Sequence, residues 1–169
     1  IGYKALYSQN TASDNAITKN TGVGFEAGYY NVTGTENTYF GYGAGGSGAG
    51  SENSHSYNTA IGANALISLT TGNYNTAVGQ NALDELQNGS YNVAIGNGSL
   101  HALDGSEDNN VSIGYNSLNN ADGASNNVGI GNAVTLSTAA GTNQTVIGYN
   151  ATGQANNSVT LGNADVTAI

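Results

Sequence analysis

Tyr57, Tyr74 and Tyr91 stand 17 residues apart (74 − 57 and 91 − 74). Tyr115 and Tyr149 belong to a second aromatic column with Tyr3, Phe25 and Tyr42. Aromatic faces suit the apolar side of a sugar ring, so Tyr57, Tyr74, Tyr91, Tyr115 and Tyr149 are candidate glycan or receptor contacts. The competing reading is a packed ladder that stiffens a corner. Acidic residues gather at Asp84-Glu85 and at Asp104, Glu107 and Asp108. A glycosidase needs two carboxyl groups held ~5–9.5 Å apart across a cleft, and corner segments are poorly suited to hold them. The run from Asp104 to Asp108 lacks the alternating acids of a calcium loop, which leaves only weak surface binding of a divalent ion. His55 and His101 have no metal-site spacing and are expected as core or surface bystanders. Thr21, Thr38, Thr59 and Thr76 form a column that could order ice, yet further along it gives way to valine. No residue is assigned to catalysis, a cofactor or a metal, and the chain is expected to be no enzyme.

These side chains are positioned by one recurring phrase. It reads YNTAIGANAL from residue 57, YNTAVGQNAL from 74, YNVAIGNGSL from 91 and NNVSIGYNSL from 109. Its aliphatic anchors Ile61, Val78, Ile95 and Ile113 are separated by 17, 17 and 18 residues (78 − 61, 95 − 78, 113 − 95). A fixed period of this size marks a repeat architecture. Aligning aliphatic-Gly pairs carries the phrase from Ile1-Gly2 to Leu161-Gly162 and predicts about ten coils. Two residues before each anchor lies Thr or Val, which with the anchor gives a period-2 pair and hence a short strand. This pair, with Ile61, Val78, Ile95, Ile113, Ile130 and Ile147, is expected to form the interior. The small residues between, such as Ala60, Ala77, Ala94 and Ser112, would then face outward against a second copy of the chain.

Asn58, Asn75 and Asn92 form a column suited to a corner or to a stacked amide ladder. Gly62, Gly79 and Gly96 follow the anchors and are expected as turn residues where a Cβ would not fit. A phosphate-cradling loop is excluded, since no G-x-x-x-x-G-K-[ST] occurs. Leu66 with Leu69 and Leu83 with Leu86 have i, i+3 spacing and predict a short helical turn in some corners. The glycine-rich residues 41–50 are expected to be the least ordered part. No domain boundary appears, so residues 1–169 read as a single repeat domain. The phrase is already under way at Ile1-Gly2, and we read the chain as a fragment of a longer fibre.

Charged residues make up 8% of the chain against roughly 25% in average usage. There are 26 glycines and no Pro, Cys, Met or Trp. The regular apolar column argues against disorder, and without cysteine neither disulfides nor thiolate metal sites arise. The formal charge is −9, from 2 basic and 11 acidic residues. Lys4 and Lys19 cannot neutralise a run of phosphates, so neither nucleic acid nor an anionic membrane is an expected partner. No apolar run approaches the ~20 residues of a membrane span.

The phrase Asn-x-Val/Thr-Ala-Ile-Gly-x-x-Ala/Ser resembles the repeat of YadA-type trimeric adhesin heads, and it covers nearly the whole chain. Similar repeats occur in bacteriophage tail fibres. Residues 158–169 (SVTLGNADVTAI) resemble the segment that precedes an endosialidase-type intramolecular chaperone in such fibres. The resemblance implies an all-β, left-handed parallel β-roll, a β-solenoid of three chains side by side. It implies a homotrimer that contacts a host-cell glycan or protein receptor, on a virion tail fibre or an extracellular surface. The alternative is a bacterial autotransporter adhesin head; a less favoured one is a polysaccharide-degrading fibre enzyme. The 17-residue coils are longer than the family's core repeat, which the 14-residue step from Ile147 to Leu161 (161 − 147) approaches.

Overall fold

The computed structural model describes residues 1–9, 17–46 and 53–168. Among the described residues nine short strands form one parallel sheet in strict sequence order. They are β1 Thr21–Val23, β2 Thr38–Phe40, β3 Thr59–Ile61, β4 Thr76–Val78, β5 Val93–Ile95, β6 Val111–Ile113, β7 Val128–Ile130, β8 Gln144–Ile147 and β9 Ser158–Leu161. Each strand pairs with the next copy of the phrase in register, so that Thr59 lies opposite Thr76, Ala60 opposite Ala77 and Ile61 opposite Val78. The chain is a parallel β-solenoid whose nine strands bound eight complete turns (9 − 1). The phrase at Ile1-Gly2 forms no strand, although Gly24 N–H donates to the Ile1 carbonyl at 2.8 Å. The count of about ten coils is corrected accordingly.

The sidedness of the strands is the reverse of the expected one. Ala60, Ala77, Ala94 and Ser112 are fully buried. The anchors Ile61, Ile95, Ile113, Ile130 and Ile147 keep 36–39% of their surface exposed, and Val78 is half-buried. The predicted core column is therefore the outer surface of the sheet. The reason is the width of the tube. Leu66, Leu83, Leu100 and Leu118 reach across from the opposite wall and are fully buried. A Cβ added at Gly129, in the small column, would lie 2.7–2.8 Å from the Leu118 methyls. These leucines already fill the space opposite the strand, so the strand residue that faces them must be small.

β2 states the same rule in reverse. Its inward residue is the large, fully buried Tyr39, and here the opposing leucine positions hold Gly28 and Gly45. A Cβ at Gly28 would meet the Tyr39 ring at 2.6 Å. Volume is exchanged across the tube and conserved. The Tyr39 hydroxyl is satisfied by Asn31 Nδ2 at 3.1 Å and by His55 Nδ1 at 3.0 Å.

The corners are not helical. Among the described residues there is no helix. Asn64 and Leu66 have φ of 60° and 53°, which breaks any helical run. Their amides bond to neighbouring coils instead, Asn64 N to Tyr42 O at 2.8 Å and Leu66 N to Ala82 O at 3.1 Å. Leu66 and Leu69 are both buried, but through successive turns, with Leu69 N 3.3 Å from Leu66 O. The expectation for residues 41–50 falls partly outside the described residues; Gly43, Ala44, Gly45 and Gly46 are placed and buried.

Buried His55 gives the fold a pH dependence. Burial lowers its pKa from 6.5 to about 4. Between those values the unfolded chain takes up a proton that the folded chain refuses, so stability is full above pH 6.5 and falls as the pH drops. At ~1.4 kcal/mol per unit the loss reaches about 3 kcal/mol near pH 4. Exposed His101 is shifted upward by its hydrogen bond to Asp84 and works in the opposite sense, weakened by solvent screening. Denaturant titrations at pH 7 and pH 4.5 measure the effect. A His55→Gln variant should lose most of the pH dependence, and an unchanged dependence would contradict this assignment.

Candidate functional site

The sequence-derived contact residues do not converge. Tyr57, Tyr74 and Tyr91 precede the strands and take up left-handed backbone, with φ of 61°, 59° and 61°. This places their rings over one another, with centroids 4.8 and 5.1 Å apart and planes within 4° of parallel. Tyr74 thus has both faces covered by its neighbours, and only the outer faces of Tyr57 and Tyr91 remain for a sugar. The geometry is that of a packed ladder with its edges to solvent. Tyr115 and Tyr149 lie beyond the strands, after Gly114 and Gly148, with Asn132 between them in the column. Both are mostly exposed, and neither has a ring partner among the described residues.

The asparagine column is internal. Asn58, Asn75 and Asn92 are at most 1% exposed. Each side-chain oxygen accepts the backbone N–H of the next asparagine: Asn75 N to Asn58 Oδ1 at 2.8 Å, Asn92 N to Asn75 Oδ1 at 3.0 Å, Asn110 N to Asn92 Oδ1 at 2.9 Å. Each side-chain amide also donates to its own corner or the next, as Asn75 does to Gly89 O at 2.9 Å. The left-handed residue at the corner is the one before each asparagine, so these asparagines serve as rungs. Gly62, Gly79 and Gly96 have φ of 130°, 138° and 132°. A Cβ at Gly62 would stand 2.5 Å from the Gly79 carbonyl oxygen.

The acids form one cluster that the sequence only half reveals. Asp104, Glu107 and Asp122 bring carboxylate oxygens within 4.8 Å of one another. Asp122 comes from the following coil. Asp108 is not in the group; it accepts from Ser90 N at 2.6 Å. Buried Glu107 accepts from Gly105 N at 2.9 Å and Gly123 N at 3.2 Å, which ties two corners together. Glu107 is thus engaged as a backbone clasp. Asp84 and Glu85 flank His101 of the next coil, whose Nδ1 lies 2.6 Å from Asp84 and whose Nε2 lies 3.6 Å from Glu85. No helix among the described residues is long and apolar enough to cross a membrane.

Two aromatic features escaped the sequence reading. One is the buried Tyr39–His55 pair, held by contacts between positions 16 residues apart (55 − 39) that share no column. The other is a groove between Tyr42 and the pair Tyr29 and Tyr30. The signal for the second was present: Tyr3, Lys4 and Tyr7 are echoed 22 residues later by Phe25, Glu26 and Tyr29 (25 − 3, 26 − 4, 29 − 7). Compared with known proteins, the chain matches no family model, no curated protein and no solved structure.

Proposed function

We propose that this chain is a non-enzymatic segment of a homotrimeric surface fibre, most simply a phage tail fibre, which forms a stiff shaft and carries host attachment. The observation that supports this reading is the outer face of the sheet. Phe40, Ile61, Ile95, Ile113, Ile130, Ile147 and Leu161 stand in register along the rod and keep 36–56% of their surface exposed. Thr and Val residues two positions earlier widen this into a flat band, roughly 40 Å long at ~4.8 Å per strand. A soluble monomer rarely leaves so long an apolar stripe uncovered. Identical in-register stripes on sister chains would cover one another around a common axis, in the left-handed wound trimer that the repeat resemblance implies. The surface that seeks partners is thus the isoleucine face, while the alanine face is used within each chain. Repeated weak contacts along such a rod gain strength by avidity.

The phrase itself equally supports a bacterial adhesin head, which would use the same surface from the host side of the encounter. The glycan or protein receptor would be met at the exposed tyrosines outside the apolar band, among them Tyr115 and Tyr149.

Sedimentation equilibrium over a hundred-fold concentration range tests the assembly. The expected result is a trimer for the natural chain. The double variant Ile95→Glu, Ile113→Glu should sediment as a folded monomer with an unchanged circular-dichroism spectrum. A natural chain that remains a folded monomer throughout would overturn the proposal.

A further inference from the structure

The first three coils carry two aromatic columns with a groove between them. On one side Tyr3, Phe25 and Tyr42 stack, with centroids 5.3 and 5.4 Å apart. On the other, Tyr7 stacks on Tyr29 at 5.4 Å, and Tyr30 stands edge-on to Tyr29 at 4.3 Å and 78°. At the first level the protein fills this groove with its own ammonium. Lys4 Nζ lies 5.2, 5.4 and 5.7 Å from the ring centres of Tyr29, Tyr3 and Tyr7. The corresponding position is Glu26 in the second coil and Gly43 in the third, two residues after Gly2, Gly24 and Gly41. Gly43 presents no side chain here and borders a cavity of about 80 Å³ lined also by Glu26, Tyr29, Tyr30, Tyr42 and Ile67; a Cβ on it would point toward Asn64 Oδ1 at 3.2 Å and Ile67 Cδ1 at 3.3 Å. Among the described residues Glu26 makes no ion pair within 4.0 Å, and its charge is felt at longer range by Lys4, whose pKa it helps to raise after the larger effects of Tyr29 and Tyr3.

We propose that this glycine-floored cavity binds a small organic ammonium group, methylated or primary, between the tyrosine rings and the Glu26 carboxylate. Ring faces attract a cation through their quadrupole, and a nearby carboxylate supplies the opposite charge. Lys4 shows that an ammonium is accommodated by the same two columns one level away. The overall charge of −9 favours cations at every approach to the site. The volume admits one headgroup and little more. All the lining residues come from one chain, so the inference does not rest on the trimer and survives its failure.

Titration of the full chain with tetramethylammonium, followed through the tyrosine ring resonances by NMR, tests it. Saturable shifts at Tyr29, Tyr30 and Tyr42, with a dissociation constant on the order of millimolar, are expected for a few ring contacts and one charge. The uncharged isostere 3,3-dimethylbutan-1-ol should leave those resonances unmoved. Glu26→Gln should weaken binding ~5-fold, the size of an exposed charge contact, and Tyr30→Ala should abolish it. Comparison with phosphocholine and methylammonium separates a choline-type headgroup from a primary amine such as a lysine side chain. No saturable shift up to high millimolar tetramethylammonium, equal binding of the neutral isostere, or an unaffected Glu26→Gln variant would each overturn the proposal. The last two comparisons need no disruptive substitution.

Discussion

Replacing Gly79 by alanine is expected to lower the unfolding free energy by about 4 kcal/mol, from backbone strain and a backbone clash together. At φ 138° the residue occupies a region essentially reserved for glycine, where another residue costs ~1–3 kcal/mol. The added Cβ would also be driven into the Gly96 carbonyl of the next coil, with the carbonyl carbon 2.5 Å away. Neither coil can step back, because Gly79 N donates to Ile61 O at 2.8 Å and Gly96 N to Val78 O at 2.7 Å. Chemical denaturation at fixed protein concentration measures the loss. Gly62→Ala should match it, since the neighbouring coil repeats the geometry. A loss below about 1 kcal/mol at both sites would mean that the glycine column is not what sets the coil spacing.

Asn75→Leu should cost a similar amount with no change of backbone and little change of volume. Asn75 Oδ1 accepts from Asn92 N at 3.0 Å and its Nδ2 donates to Gly89 O at 2.9 Å, both inside the tube. Leucine keeps the bulk and orphans both backbone groups, at ~1–3 kcal/mol each, or about 4 kcal/mol in all. Because the rungs are chained, amide exchange should rise first at Asn92 and its neighbours. Asn97 provides the comparison: it is exposed and donates only to Gln80 Oε1, at 3.3 Å. Asn97→Ala should stay within about 0.5 kcal/mol. Equal losses at Asn75 and Asn97 would deny the internal ladder its role.

The periodic part of this fold could be read from residue types alone. Each observed strand ends at a large apolar residue, aliphatic in all but Phe40 of β2, that is followed by glycine, from Val23-Gly24 to Leu161-Gly162. Which side of the strand faces inward could not be read the same way. A Thr-Ala-Ile strand offers an apolar side and a small side, and hydrophobicity alone places the isoleucine inside. The decision lies across the tube, where Leu66 occupies the space that Ile61 would need. Leucines spaced i, i+3 likewise mimic a helical turn, and only the left-handed backbone at Asn64 and Leu66 separates the two. Asp122 joins Glu107 and Asp104 because one coil lies over another, a relation that a motif confined to one corner does not contain. The tyrosine column was visible by its period, but ring-on-ring stacking at 4.8 Å, which removes the faces from use, is a matter of distance.

The exchange of volume between Tyr39 and its two facing glycines has a bearing on how such a chain can change length. Coils built on alanine and leucine are equivalent to their neighbours, so duplication or loss of a whole one leaves every contact type intact. The coil with Tyr39 is matched to Gly28 before it and Gly45 within it, and His55 closes over its hydroxyl from the next. It cannot be moved, copied or removed alone. A solenoid of this kind is free to grow or shrink on one side of that fixed mark, while the aromatic coils beside it keep their place and their composition.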